Sequence, residues 1–170
     1  MGLVNGFAIE APAVTPLFYT ATFSQGNHYR INLDNITTSG VNDVLTLWFI
    51  EAGGVVRSLG AITGVDEASG QFVPQPFAIT AGAGIPLNEL SGAVPIGNLN
   101  TRANYGWIDC FQGDGANSFM AVINFIYKDS TGRPHYSKRT FYATGGTEVN
   151  GIELVSSLGS NLGGTFTTYK

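Results

Sequence analysis

The chain has 170 residues, of which 44% are hydrophobic, 12% are charged and 23 are glycine. A chain of this length forms one domain and buries enough surface to fold without a metal or a disulfide. The net charge of −4 argues against a nucleic-acid partner, because nucleic-acid-binding domains carry a strongly basic surface. No segment approaches the ~20 consecutive apolar residues of a membrane-spanning helix.

The charged share is about half of the ~25% that is usual in soluble proteins. A surface poor in charge suits packing against copies of the same chain, because burying a charge costs desolvation energy. The start of the chain has no basic segment, and Glu10 and Pro12 interrupt its apolar run, so we expect no signal peptide. The sequence does not fix the location of the protein; it favours an extracellular surface or a virion.

Residues 1–16 are apolar, but Gly6, Pro12 and Pro16 make both a helix and a central strand implausible. We predict an extended N-terminal arm here, followed by a single β-sandwich domain over residues 17–170. Two placements of the arm are open: it covers an edge of its own domain, or it adds a strand to the sheet of a neighbouring subunit. In the second placement the arm contributes the interface residues Leu3, Val4, Phe7 and Ile9.

The rest of the chain reads as a series of short strands separated by Gly-rich and polar turns. No stretch of 11 residues or more has helical periodicity, although residues 85–90 are compatible with one helical turn. Pro74 and Pro76 predict an edge strand over residues 71–80, because proline donates no ladder hydrogen bond. The other predicted strands cover residues 17–24, 28–33, 43–51, 55–59, 104–111, 119–128, 152–156 and 165–169. We therefore predict an all-β fold, an antiparallel β-sandwich of jelly-roll-like type with about 8–10 strands and little or no helix.

The longest predicted unit is a β-hairpin over residues 118–143, whose first strand is apolar on both faces. Phe119, Ala121, Ile123, Phe125 and Tyr127 alternate toward one face, and Met120, Val122 and Ile126 lie on the other. A strand that is apolar on both faces requires a cover on both. We expect the second cover to be another layer, a helix or another chain.

The hairpin is also basic. Lys128, Arg133, Lys138 and Arg139 stand against Asp129, a local balance of +3, whereas the remaining chain has a balance of −7. One interpretation is that the basic hairpin docks onto the acidic body of a neighbouring copy. The other is that the charges only keep a solvated edge strand from aggregating.

Residues that carry chemistry are scarce. Cys110 lies in an alternating strand and is predicted to be a small buried hydrophobic residue. His28 and His135 are the only histidines, and no acid or nucleophile converges on them in the sequence, so we expect neither an enzyme nor a cofactor.

Two weaker candidate sites remain. Asp109, Asp114 and Asn117 offer oxygen ligands for calcium, but the same residue types also form ordinary turns. Tyr127, Tyr136 and Tyr142, together with His135, would form an aromatic face for a ligand unless they belong to the core, where Trp48 and Trp107 are also expected.

These patterns favour a structural, self-assembling β-sandwich subunit, such as a component of a filament, appendage, shell or virion. Its expected partners are copies of itself, which interlock through the apolar arm and the basic hairpin. The alternative is a lectin-like carbohydrate-binding module with glycans as partners. Fold alone does not choose between the two, because sandwiches host both.

Overall fold

A computed structural model describes residues 2–14, 17–20, 23, 26–40, 43–51, 56–57, 62–68, 71–79, 84–88, 104–113, 119–128, 134–143 and 149–170. Only the backbone is described for strands β1, β2 and β5–β7 and for residues 51, 142, 143 and 150. The strands are β1 Leu3–Val14, β2 Leu17–Thr20, β3 Asn27–Thr38, β4 Leu45–Glu51, β5 Val56–Arg57, β6 Ile62–Ala68, β7 Gln71–Ile79, β8 Ile85–Pro86, β9 Asn104–Gln112, β10 Phe119–Lys128, β11 Pro134–Ala143, β12 Val149–Ser156 and β13 Asn161–Tyr169. The described part contains no helix, which confirms the predicted all-β class.

The strands form two antiparallel sheets that pack together as a sandwich, as predicted. The larger sheet has eight strands in the order β1-β13-β3-β9-β10-β11-β6-β7. The smaller sheet has the order β2-β12-β4-β5, and β8 pairs with β4 beside it. The described strands number thirteen rather than 8–10, partly because β5 and β8 have only two residues each.

The core lies between the sheets and is rich in aromatic rings. The Phe49 ring of the small sheet lies 4.9 Å from that of Phe119 and 4.8 Å from that of Phe141, both in the large sheet. Aromatic pairs at such distances add to the stabilisation from buried area alone. This cluster fixes the position of the small sheet over β10 and β11.

The predicted central hairpin is confirmed. β10 and β11 pair in unbroken register from Phe119↔Ala143 to Lys128↔Pro134, and β9 pairs with the other side of β10. The hairpin therefore lies inside the eight-stranded sheet, with β6 beyond β11.

Two predicted loops are strands in the structure. Residues 62–68 form β6 between β11 and β7, because pairing on both sides outweighs the polar character of the segment. β3 continues to Thr38 past a register shift between Leu33 and Ile36, where Asn35 has a φ of 55°. Such a bulge inserts an extra residue without ending the strand. The predicted helical turn at 85–90 is wrong where it is described, since residues 85–86 form β8.

The turn between β12 and β13 is held by a buried acid. Asp43 is completely buried and accepts hydrogen bonds from Ser156 Oγ at 2.6 Å, Ser157 Oγ at 3.0 Å and the Leu158 amide at 3.3 Å. A buried carboxylate is tolerated when donors satisfy it in this way. The network ties the turn between β12 and β13 to the start of β4.

The eight-stranded sheet has β1 and β7 as its edges. The edge position of β7 confirms the prediction from Pro74 and Pro76. β1 pairs with β13 of the same chain, which is the first of the two placements that the sequence left open for the arm. The Gly2 amide donates to the Lys170 carbonyl at 2.7 Å, and the Lys170 amide donates to the Gly2 carbonyl at 2.8 Å. Residues 2 and 170 therefore lie side by side.

Candidate interaction surface

The side of the eight-stranded sheet that points away from the small sheet carries most of the exposed large apolar side chains described. We call this surface the outer face. It consists of positions 105, 107, 109 and 111 of β9 and of the even-numbered positions in three other strands, which are 28–32 of β3, 120–128 of β10 and 136–140 of β11. Tyr105, Phe111, Met120 and Ile126 are 48%, 41%, 55% and 41% exposed. The fifth exposed large apolar residue described, Leu158, lies in the turn between β12 and β13.

The strand register places these side chains next to one another. Met120 is the cross-strand partner of Phe111, and Ile126 is the partner of both Tyr105 and Tyr136. Directly opposite residues in antiparallel strands have Cβ atoms about 5 Å apart. The apolar side chains therefore form two cross-strand groups, one at each end of the outer face, with Asp109 and Asn124 between them.

The size of the surface can be judged from sheet geometry. Four strands at ~4.8 Å spacing and about six residues at ~3.4 Å rise give an area of roughly 400 Å². This area covers the whole outer face, including polar and charged positions such as Arg30, Asp109 and Asn124. The outer face is about half of the ~800 Å² that each partner buries in a standard interface, so a polar rim would supply the rest.

One ion pair lies between the two apolar groups. Arg30 donates from Nε to Asp109 Oδ1 at 2.7 Å and from Nη2 to Asp109 Oδ2 at 2.8 Å. The hydrogen bonds to Asp109 raise the pKa of Arg30. His28 Nε2 lies 3.6 Å from Asp109 Oδ1. Because the carboxylate and the guanidinium neutralise each other, the pair adds little net charge to the outer face.

The centre of the outer face combines an indole with amides. Trp107 is half-buried and is the cross-strand partner of Asn32 on one side and Asn124 on the other. Tyr136 Oη donates a hydrogen bond to Asn124 Oδ1, and Asn124 is only 4% exposed. The Tyr136 and Asn124 side chains are thereby held in place beside the indole ring.

The predicted assembly residues do not all reach the surface. Lys128 and Lys138 are exposed, and they lie on the outer face. Arg139 is completely buried because it faces inward opposite Ile123. Arg133 lies outside the described residues. Leu3, Val4, Phe7 and Ile9 lie in β1, and the structure describes only their backbone.

The predicted ligand face does not form from the described residues. Tyr127 and His135 are buried and stack in the interior with ring centroids 5.2 Å apart. Tyr136 points the opposite way, to the outer face, because successive residues of a strand alternate. The side chain of Tyr142 lies outside the described part.

The residues predicted as calcium ligands do not form a metal site in the described part of the chain. Asp109, the first calcium candidate, is held by Arg30, whereas Asp114 and Asn117 lie outside the described residues. In the described ranges no group of three His, Cys, Asp or Glu residues could hold a metal ion. Cys110 is buried as predicted, and burial raises its thiol pKa well above the ordinary range, which makes a nucleophilic thiolate unfavourable.

The expectation that Trp48 and Trp107 belong to the core is wrong, since both point to outer sheet surfaces and are half-buried. The expectation rests on their position inside alternating strands. A signal was present in β9, where Trp107 shares its period-2 face with Asp109, whereas Ile108 and Cys110 occupy the other face. The face that contains the charged residue is the one that reaches the surface.

Across the described ranges, the structure has no helix that would reach across a lipid bilayer. Comparisons of the chain with protein-family models, curated sequences and solved structures give no match. The function of the chain is therefore inferred from its own geometry.

Proposed function

We propose that the protein is a structural β-sandwich subunit that associates with copies of itself through the outer face. The observation that carries this proposal is the exposure of Tyr105, Phe111, Met120 and Ile126 on the same face of the adjacent strands β9 and β10. The sequence calls for a cover over the second face of β10, and the described residues of the same chain leave Met120 55% exposed. The cover that we propose is a neighbouring chain.

The charge of a second copy is complementary to the charge of the outer face. Lys128 and Lys138 are exposed beside the apolar groups, and the chain outside residues 128–139 has a balance of −7. Each copy thus offers a basic, apolar surface and an acidic body, which attract one another. The low charge of the chain also lowers the desolvation cost of the contact.

This asymmetry favours a contact between two different surfaces of the same chain rather than between two identical ones. A contact of that kind closes into a ring or shell when the rotation between copies is suitable, and otherwise continues as a filament. We therefore place the protein among the components of filaments, appendages, shells or virions.

The variant Met120→Ser/Ile126→Ser tests the proposal by removing the apolar contact on β10. Leu158→Ser is the matched control, because Leu158 is 63% exposed but lies in the β12–β13 turn. Size-exclusion chromatography with light scattering should show loss of association for the double variant and none for the control. Equal association in all three proteins would overturn the proposal.

A second candidate function, glycan binding, is favoured by the position of Trp107 between Asn32 and Asn124 on the outer face. The half-buried Trp107 ring provides a stacking surface for a sugar ring, and the half-buried Asn32 amide beside it provides hydrogen bonds. A glycan array with Trp107→Ala as the control discriminates the two functions. Specific hits that Trp107→Ala abolishes would favour the binding module, and an array without hits would dismiss it.

A further inference from the structure

Strand β1 is attached to the fold in a way that permits its exchange. Among the described strands, its only neighbour in the eight-stranded sheet is β13, with which it pairs from Leu3↔Tyr169 to Val14↔Asn161. The connection to β2, which belongs to the other sheet, consists of residues 15–16 alone. β1 is thus bound along one side and tethered at one end by a short connection, and short hinges favour domain swapping.

The pairing of β1 with β13 is also irregular. Register shifts occur between Leu3 and Asn5 and between Ile9 and Ala13 of β1, and Pro12 lies within the second. Each shift disrupts the ladder locally. Release of β1 therefore disrupts fewer regular ladder bonds than a 12-residue strand would otherwise make.

β13, in contrast, is firmly held by the rest of the domain. Leu162 and Phe166 are buried in the core, and β13 pairs with β3 on its other side. Lys170 Nζ also lies 5.8 Å from the centre of the Tyr29 ring, which anchors the end of the strand. If β1 leaves, β13 remains in place as an open edge that presents the backbone groups with which β1 paired.

The other edge of the sheet is protected. β7 contains Pro74 and Pro76, which donate no backbone hydrogen bond, and prolines at an edge oppose pairing with another chain. β1 has one proline, and it lies in the irregular stretch. Strand pairing between copies is therefore directed to the β1–β13 edge.

We infer that β1 of one copy exchanges into the β13 edge of a second copy, in the register seen within the single chain. The occupant of the edge is an identical strand, so every bond made within one chain is made again between chains. This inference deepens the proposed self-association, but it uses a different surface from the outer face.

Engineered cysteines in two different chains test the exchange. Ala8 and Thr165 are register partners, and directly opposite positions in antiparallel strands lie within reach of a disulfide. One full-length chain carries Ala8→Cys and the other, with a tag of different mass, carries Thr165→Cys. Both also carry Met120→Ser/Ile126→Ser, so that contacts through the outer face do not contribute. The buried native Cys110 is common to all samples.

After joint refolding and oxidation, exchange predicts a disulfide-linked heterodimer on a non-reducing gel. Thr167→Cys replaces Thr165→Cys in the control mixture, because Thr167 pairs with Gly6 rather than Ala8, and the heterodimer should be lost. A single chain with both Ala8→Cys and Thr165→Cys reports whether the site oxidises. If this chain closes its disulfide only within monomers and the mixture yields no heterodimer, the exchange is overturned, whatever the outcome for the outer face.

Discussion

Arg30 donates two parallel hydrogen bonds to Asp109 on the outer face of the eight-stranded sheet. The two residues are register partners in β3 and β9, so the pair joins neighbouring strands as well as neutralising two charges. The fork of donors on a guanidinium matches a carboxylate, which a point charge such as lysine does not. The pair lets a charged residue of each sign lie beside Phe111 and Trp107 without adding net charge.

Asp109→Asn should weaken self-association, because it leaves the Arg30 charge uncompensated within the contact surface. The stability of the monomer should fall by less than ~1 kcal/mol, since Arg30 is partly exposed. Asp34→Asn is the matched control, because Asp34 is an exposed acid on β3, the strand that contains Arg30. Urea denaturation and sedimentation velocity separate the two effects. If the two variants associate equally strongly, the ion pair is not part of the interface.

Phe49→Ala should lower the free energy of unfolding by about 3–5 kcal/mol, because it leaves a cavity between the rings of Phe119 and Phe141. Phe111→Ala removes the same side chain from the outer face, where it is 41% exposed. We expect the second variant to change association but to lower monomer stability by less than about 1 kcal/mol. Urea denaturation at low protein concentration gives the free energy of unfolding of both variants. Similar losses in the two variants would contradict the placement of Phe111 at the surface.

Gly106→Ala should destabilise the sheet by about 1–3 kcal/mol through overpacking. A Cβ at this position would lie 2.5 Å from the backbone oxygen of Asn124 and 2.7 Å from the Phe125 ring. The backbone of β10 cannot move away without disturbing both of its pairings. Gly2→Ala is the control, because nothing lies within 4 Å of its Cβ position. Thermal denaturation should show a lower midpoint for the first variant only.

Glu153 predicts a pH dependence of stability. It is 7% exposed, and burial raises its pKa above the ordinary value. The folded state therefore retains this proton where the unfolded chain releases it, so stability falls as pH rises from the ordinary glutamate pKa through the raised one. Glu153→Gln should flatten this decline and be more stable than the native chain at neutral pH. A steeper decline in the variant, measured by urea denaturation from pH 4 to 8, would contradict this assignment.

Much of the fold was accessible from the sequence, because alternation in β3, β9 and β10 directly reports which side chains are buried. The inward positions of Tyr29, Ile31 and Leu33 are confirmed, and so is the buried state of Cys110. What the sequence did not show were elements that depend on distant neighbours. β6 is a strand because β11 and β7 flank it, and no local pattern predicts those partners.

The surface was harder to predict than the core. Arg139 is an expected interface residue because it belongs to the basic hairpin, and yet strand alternation places it inside, opposite Ile123. Trp107 is expected in the core because it lies inside an alternating strand, although it shares a face with Asp109. In both cases the strand face that the residue occupies decides its exposure.

The most direct test of the self-association proposal is the mass of the native protein in solution as a function of concentration. The chain has a mass of 18.0 kDa. If copies cover the outer face of one another, light scattering should give a mass that rises above this value with increasing concentration, and electron microscopy should show rings, shells or filaments. A mass of 18.0 kDa at every concentration would contradict it.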